Sequence, residues 1–181
     1  MRKFTQMTLT LFLVIACLRS GNAQDSPCDV ARLPYSIRQN LEKNFSGWRV
    51  YVLTDLSKEY VEMWLKAHPR ECPGIAAAYS RSEHTISYAI LLIPVHGSGY
   101  KLVVFDNPES SKIHVTLLQK TNKSTPTPSV IYKVPPGRYS DPERAHRKNI
   151  RTEGFVMEQL EVGSILYYWD INRYRALITS N

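Results

Sequence analysis

The chain has 181 residues, with 23 Lys plus Arg against 16 Asp plus Glu, a formal charge of +7. That length suits one domain with a real core. So mild a surplus is far from the basic tail of a nucleic-acid binder, and no nucleic-acid partner is expected.

In chain order, the first segment is an address. Arg2 and Lys3 make a basic start, Met7 to Leu18 is a mostly apolar run without charge, and Gly21-Asn22-Ala23 offers small residues for a signal peptidase. The layout is that of a secretory signal, too short for a comfortable membrane span. Residues 1–23 are therefore expected to be a signal peptide, and residues 24–181 a single domain that is periplasmic or extracellular. The signal carries away Arg2, Lys3 and Arg19 and no acid, so 23 − 3 = 20 basic residues face 16 acidic ones, a charge of +4. A second outcome is open. Val14-Ile15-Ala16-Cys17 is similar to a bacterial lipobox, and lipidation at Cys17 would hold the protein in the envelope, on a membrane.

With cleavage after Ala23, Cys28 and Cys72 are the cysteines that stay, and an exported domain with two cysteines is expected to join them. Such a disulfide closes a loop worth roughly 3–4 kcal/mol in the chain-entropy model.

Leu33-Pro34 opens a helical pattern with Ile37, Leu41 and Phe45 at spacing four, ended by Ser46-Gly47. Trp48 to Leu53 alternates as a strand. Asp55 is placed to cap a second helix, Leu56 to Ala67, which Pro69 stops. The rest reads as strands. They are Gly74 to Tyr79, Ile86 to Val95, Tyr100 to Asp106 after a Gly97-Ser98-Gly99 turn, Ile113 to Gln119 and Ser129 to Val134. Phe155 to Leu160, Ser164 to Trp169 and Tyr174 to Thr179 follow. Thr121 to Pro128 and Pro135 to Ile150 read as loops. Two helices and then six to eight strands predict an α+β fold, with the two N-terminal helices packed on a mainly antiparallel sheet.

No pair of the five histidines has the spacing that sets two ligands on one helix face, and no serine lies in a Gly-x-Ser-x-Gly elbow. No catalytic, cofactor-binding or metal site is assigned, and no cofactor is expected. The most distinctive surface pattern is aromatic residues beside arginines near the C-terminus: Tyr167, Trp169, Arg173, Tyr174 and Arg175. Such residues are favoured in recognition patches. Ser164 to Trp169 and Tyr174 to Thr179 are expected to pair around Asp170 to Arg173. The 135–151 stretch, with Arg138, Arg144, His146, Arg147, Lys148 and Arg151, is a candidate anion-contacting loop.

Cys72-Pro73-Gly74-Ile75-Ala76, then Tyr88-Ala89-Ile90-Leu91-Leu92, and the ending Leu166-Tyr167-Tyr168-Trp169-Asp170 with Arg173-Tyr174, resemble a group of small exported bacterial proteins of no assigned function. In that group, the stretch after the first segment often looks like an FG-GAP calcium loop. Here Ala78 to Ser87 holds one carboxylate, Glu83, and no glycine, so calcium binding is not carried over. The resemblance implies export and a compact domain.

The leading expectation is an exported binding or interaction protein, an inhibitor or envelope accessory factor, whose partner is a protein or envelope component. The alternative is a small secreted hydrolase whose groups converge only in three dimensions.

Overall fold

The computed structural model describes residues 26–110, 112–122, 128–142 and 146–180. The signal segment and Cys17 lie outside them.

The described residues form helices α1 (Tyr35–Asn44) and α2 (Lys58–Ala67) and eleven strands. Strand β1 is Trp48–Val50, β2 Ile75–Ser82, β3 Thr85–Pro94, β4 Tyr100–Asp106 and β5 His114–Thr121. After them come β6 Ser129–Val134, β7 Gly137–Asp141, β8 His146–Ile150, β9 Gly154–Gln159, β10 Gly163–Asp170 and β11 Arg173–Ser180. Every pairing is antiparallel. One sheet runs β1-β3-β4-β5 with β2 also on β3, a second runs β11-β10-β9-β6, and β7 and β8 make a separate ribbon.

The α+β expectation is overturned. The chain is mostly β: two sheets face each other across a shared core, α1 packs on the outer face of the first sheet, and α2 closes one flank. Leu102 and Val104 of β4 meet Phe155 and Met157 of β9 and Tyr167 of β10 in that core. The opposite face of β4 presents Val103 and Phe105, which pack with Leu33 and Ile37 in and before α1. Strand β4 is thus buried on both faces, so it reads as a continuous apolar run instead of an alternating one.

Helix α2 does not lie on a sheet face. Ser57, not Asp55, caps it, accepting a hydrogen bond from the Tyr60 N–H. Asp55 closes the short 3₁₀ turn before it, accepting from the Val52 N–H at 2.9 Å and pairing with Arg49 at 2.6 Å. The helix drives Trp64 into the inter-sheet core beside β6, where its ring stands near Tyr132 and its Nε1 donates to the Glu71 carbonyl at 3.0 Å.

Within the stretch read as a loop, residues 135–150, β7 and β8 pair instead as a ribbon. Arg138 and Arg147 are exposed, whereas Asp141 is buried and Lys148 turns toward Asp170 and Tyr168. The ribbon covers the outer face of the second sheet, where Ile150 and Tyr139 join Leu166, Tyr168 and Leu177. Pro135-Pro136-Gly137 suggests irregular backbone, but only local strand entry is affected, because proline is tolerated at a strand's start. The expected disulfide is present, with Cys28 and Cys72 joined and their Cα atoms 4.9 Å apart. It ties the N-terminal arm to the turn before β2.

Candidate binding groove at the β5–β11 seam

The C-terminal hairpin forms as expected, with Trp169 opposite Tyr174 and Asp170 opposite Arg173. Its tip is unusually tight. The Asn172 N–H donates to the Asp170 carbonyl at 2.7 Å, closing a three-residue turn around Ile171. Ile171 has φ 59° and is 91% exposed. A β-branched residue at positive φ is strained, and turns of this kind are rare.

Strands β5 and β11 are the last strands of their sheets on the same side of the sandwich. Between them runs an open groove of about 330 Å³. All five residues singled out near the C-terminus line it: Tyr167, Trp169, Arg173, Tyr174 and Arg175. Their roles differ. Tyr167 is buried and forms the floor, Trp169 and Tyr174 are partly buried walls, and Arg173 and Arg175 are exposed at the rim. From β5 come His114 and Thr116, with Leu117 49% exposed.

Two polar networks fix these walls. In the first, the Tyr174 hydroxyl donates to Asp106 Oδ1 at 2.7 Å, and the Ser87 hydroxyl donates to the same oxygen at 2.6 Å. Ser80 Oγ lies 2.7 Å from the Tyr174 oxygen, and Thr152 Oγ1 donates to the Ser80 carbonyl at 2.6 Å. Asp106 Oδ2 has no hydrogen bond and lies 3.6 Å from Arg81 Nη1. The Arg81 guanidinium in turn lies 4.1 Å over the Trp169 ring, and Trp169 meets Tyr174 edge-on at 5.1 Å. A buried carboxylate needs such compensation, because its desolvation is otherwise costly. Burial first, then the charge of Asp106, pushes the Tyr174 hydroxyl well above its ordinary range.

The second network crosses both sheets. Tyr167 donates to Gln119 Oε1, and Gln119 Nε2 donates to the Tyr100 hydroxyl at 2.7 Å. Gln159 Nε2 donates to that same hydroxyl at 3.1 Å. Burial raises the Tyr167 hydroxyl as well, with a smaller contribution from Tyr100.

Chemically, the first network positions side chains. Ser80, Ser87 and Asp106 are fully enclosed, so their oxygens hold Tyr174 and Trp169 in place instead of meeting a substrate. The accessible groups are aromatic edges, arginines and an imidazole, which suit recognition.

Asp106, Ser80, Ser87, Arg81 and Gln119 are the residues that sequence reading missed. Strand register brings them together: Asp106 stands opposite both Ser87 and His114 on neighbouring strands. One signal was available. Asp106 ends a long apolar run, and an acid on the core-facing parity of a buried strand needs partners.

Among the described residues, none of the candidate anion-contacting stretch lines the groove, but Lys148 meets its rim through Asp170, which Arg175 also approaches. Lys148 of β8 reaches Asp170 at 3.4 Å and lies 5.5 Å over the Tyr168 ring, while Arg144 falls outside the described residues. No family model matches the chain, and neither curated proteins nor solved structures show a significant match.

Proposed function

We propose that the protein is an exported binding protein that holds a partner protein or envelope component in the β5–β11 groove. The supporting observation is the convergence of Tyr167, Trp169, Arg173, Tyr174 and Arg175 on one open groove with fixed walls. Rigid aromatic anchors beside arginines are the side chains that dominate recognition energetics. Preorganised walls also reduce the ordering cost of binding. Ile171 adds to this reading. A strained, exposed apolar residue next to the groove-lining Asn172 costs stability, and such strain concentrates at functional positions. Export rests on the signal pattern in residues 1–23.

The test is site-specific photo-cross-linking in the native medium or envelope fraction, with a benzophenone residue in place of Asn172 or of Tyr35. Tyr35 is exposed on α1, on the outer side of the first sheet. A discrete adduct from position 172 that disappears on Trp169→Ala and Arg173→Glu is expected. Adducts from position 35 alone, or adducts from 172 indifferent to both substitutions, would overturn the groove as the binding surface.

A further inference from the structure

We infer that the groove's partner is an acidic, extended polypeptide segment that adds as a strand beside β5 and sets its carboxylates against the rim arginines. This rests on the groove being the binding surface. Charge is the first ground. Arg173 is exposed and makes no ion pair among the described residues, and His114 is exposed too. Arg175 approaches Asp170 only at 3.9 Å, and Asp170 is already shared with Lys148. No acidic residue lines the groove, and the nearby Asp106 is fully buried behind Tyr174. Among the described residues the rim therefore presents Arg173 without an ion pair and Arg175 with only a long one to a shared carboxylate, and a partner's carboxylates complement them.

The edge of β5 is the second ground, and it points to polypeptide over glycan or lipid. Strand β5 runs for eight residues without proline, pairs β4 on one side and pairs no further strand on the other among the described residues. Its outward N–H and C=O groups form a template that only another peptide backbone matches at strand spacing. Strand β11 has β7 packed near it, whereas β5 packs closely with β4 alone among the described residues, so β5 is the more accessible strand. Pleat then dictates a pattern. Up to the bulge at Leu118, side chains of an added strand alternate, one set toward the groove and the other toward the outer face of the first sheet, where Leu117 stands exposed opposite Val103. Alternating acidic and apolar residues satisfy both faces at once.

The experiment uses fluorescence anisotropy with a labelled octapeptide of alternating valine and glutamate. Comparison probes are the same peptide with lysine for glutamate, the acidic peptide N-methylated at alternate amides, a sulfated oligosaccharide, and phosphatidylglycerol vesicles. Saturable binding of the acidic peptide is expected, weakened about tenfold or more by Arg173→Ala combined with Arg175→Ala. It should weaken comparably on N-methylation, and fall as salt rises. Equal binding of the lysine or N-methylated peptide would overturn the proposal. So would binding of the oligosaccharide or vesicles in place of the acidic peptide. If the acidic peptide fails while the position-172 adduct persists, only the partner class is wrong. If both fail, the groove reading itself falls.

Discussion

The two flanks of the sandwich end in opposite ways. On the β6 flank, the edge is covered. The Ile131 N–H donates to the Pro73 carbonyl at 2.8 Å, and α2 closes over it with Trp64 only 5% exposed and its indole N–H satisfied internally. On the β5–β11 flank, no helix lines the seam among the described residues, and arginines and an imidazole stand there beside aromatic and aliphatic side chains. Trp64 and Trp169 show the contrast in one residue type. Enclosed Trp64 packs an interior. Trp169 is held by Arg81 and Tyr174 and keeps part of its ring at the groove. Proteins commonly cover or charge an exposed sheet edge, and here each device is used once, on opposite sides. The covered flank supplies stability, and the charged one is left open to solvent.

The sharpest way to break this contrast is to truncate both tryptophans separately. Trp64→Ala should lower stability by about 3–5 kcal/mol in urea denaturation, whereas Trp169→Ala should cost roughly 1 kcal/mol. Equal losses would show that the open flank is as structural as the covered one. Removing the disulfide as Cys28→Ser with Cys72→Ser should cost roughly 3–4 kcal/mol, because it leaves the covered flank's connecting segment untethered. Measured midpoints that do not move would mean that packing alone secures that flank.

Asp106→Ala removes the shared acceptor of Ser87 and Tyr174 and should cost about 2–3 kcal/mol. Near-UV circular dichroism should change with it, since Trp169 and Tyr174 lose their support, and an unchanged spectrum would disprove the positioning role. Ile171→Gly should act in the other direction, raising stability by roughly 1 kcal/mol through relief of the positive-φ strain. The same substitution should weaken groove adducts. A gain in stability with undiminished adducts would separate the strain from binding.

The smallest effect is absent at neutral pH. Burial raises the hydroxyl of Tyr51 to about 12, and that of Tyr174 higher still. A folded value above the unfolded one, near 10, gives stability that is complete below pH 10. It is then lost as pH rises through the folded values. Absorbance titration of native protein at pH 11 should therefore show fewer ionised tyrosines than the eleven in the sequence. Tyr174→Phe should lessen the alkaline loss of stability. Full ionisation at pH 11 in folded protein would contradict the enclosed setting of these hydroxyls.

Much of the local structure was legible. The Ser129–Val134 and Tyr100–Asp106 strands, the C-terminal hairpin and the disulfide are all present as the residues implied. Where the reading failed, a local signal competed with a long-range one. Pro135-Pro136-Gly137 and the charges after it mark a loop by composition, but the outer face of the second sheet needed a cover, and the ribbon supplies it. Helix α2 shows an amphipathic pattern, which tells that one face is buried but not whether a sheet face or a sandwich flank receives it.

Five of the groove's residues were visible because aromatic residues and arginines cluster within nine positions of the chain. The residues that fix them are not clustered. Ser87, Asp106 and Tyr174 meet only through strand pairing and the facing of two sheets. By itself the sequence determined most of the strands, the C-terminal hairpin and the cysteine pair, since each depends on periodicity, turn chemistry or simple count. Tertiary structure alone decided that the strands divide into two facing sheets and that Asp106 is enclosed. It also decided which flank is covered. Those outcomes depend on which apolar faces find each other, and that pairing is set by burial across the whole chain and not by any local run of residues.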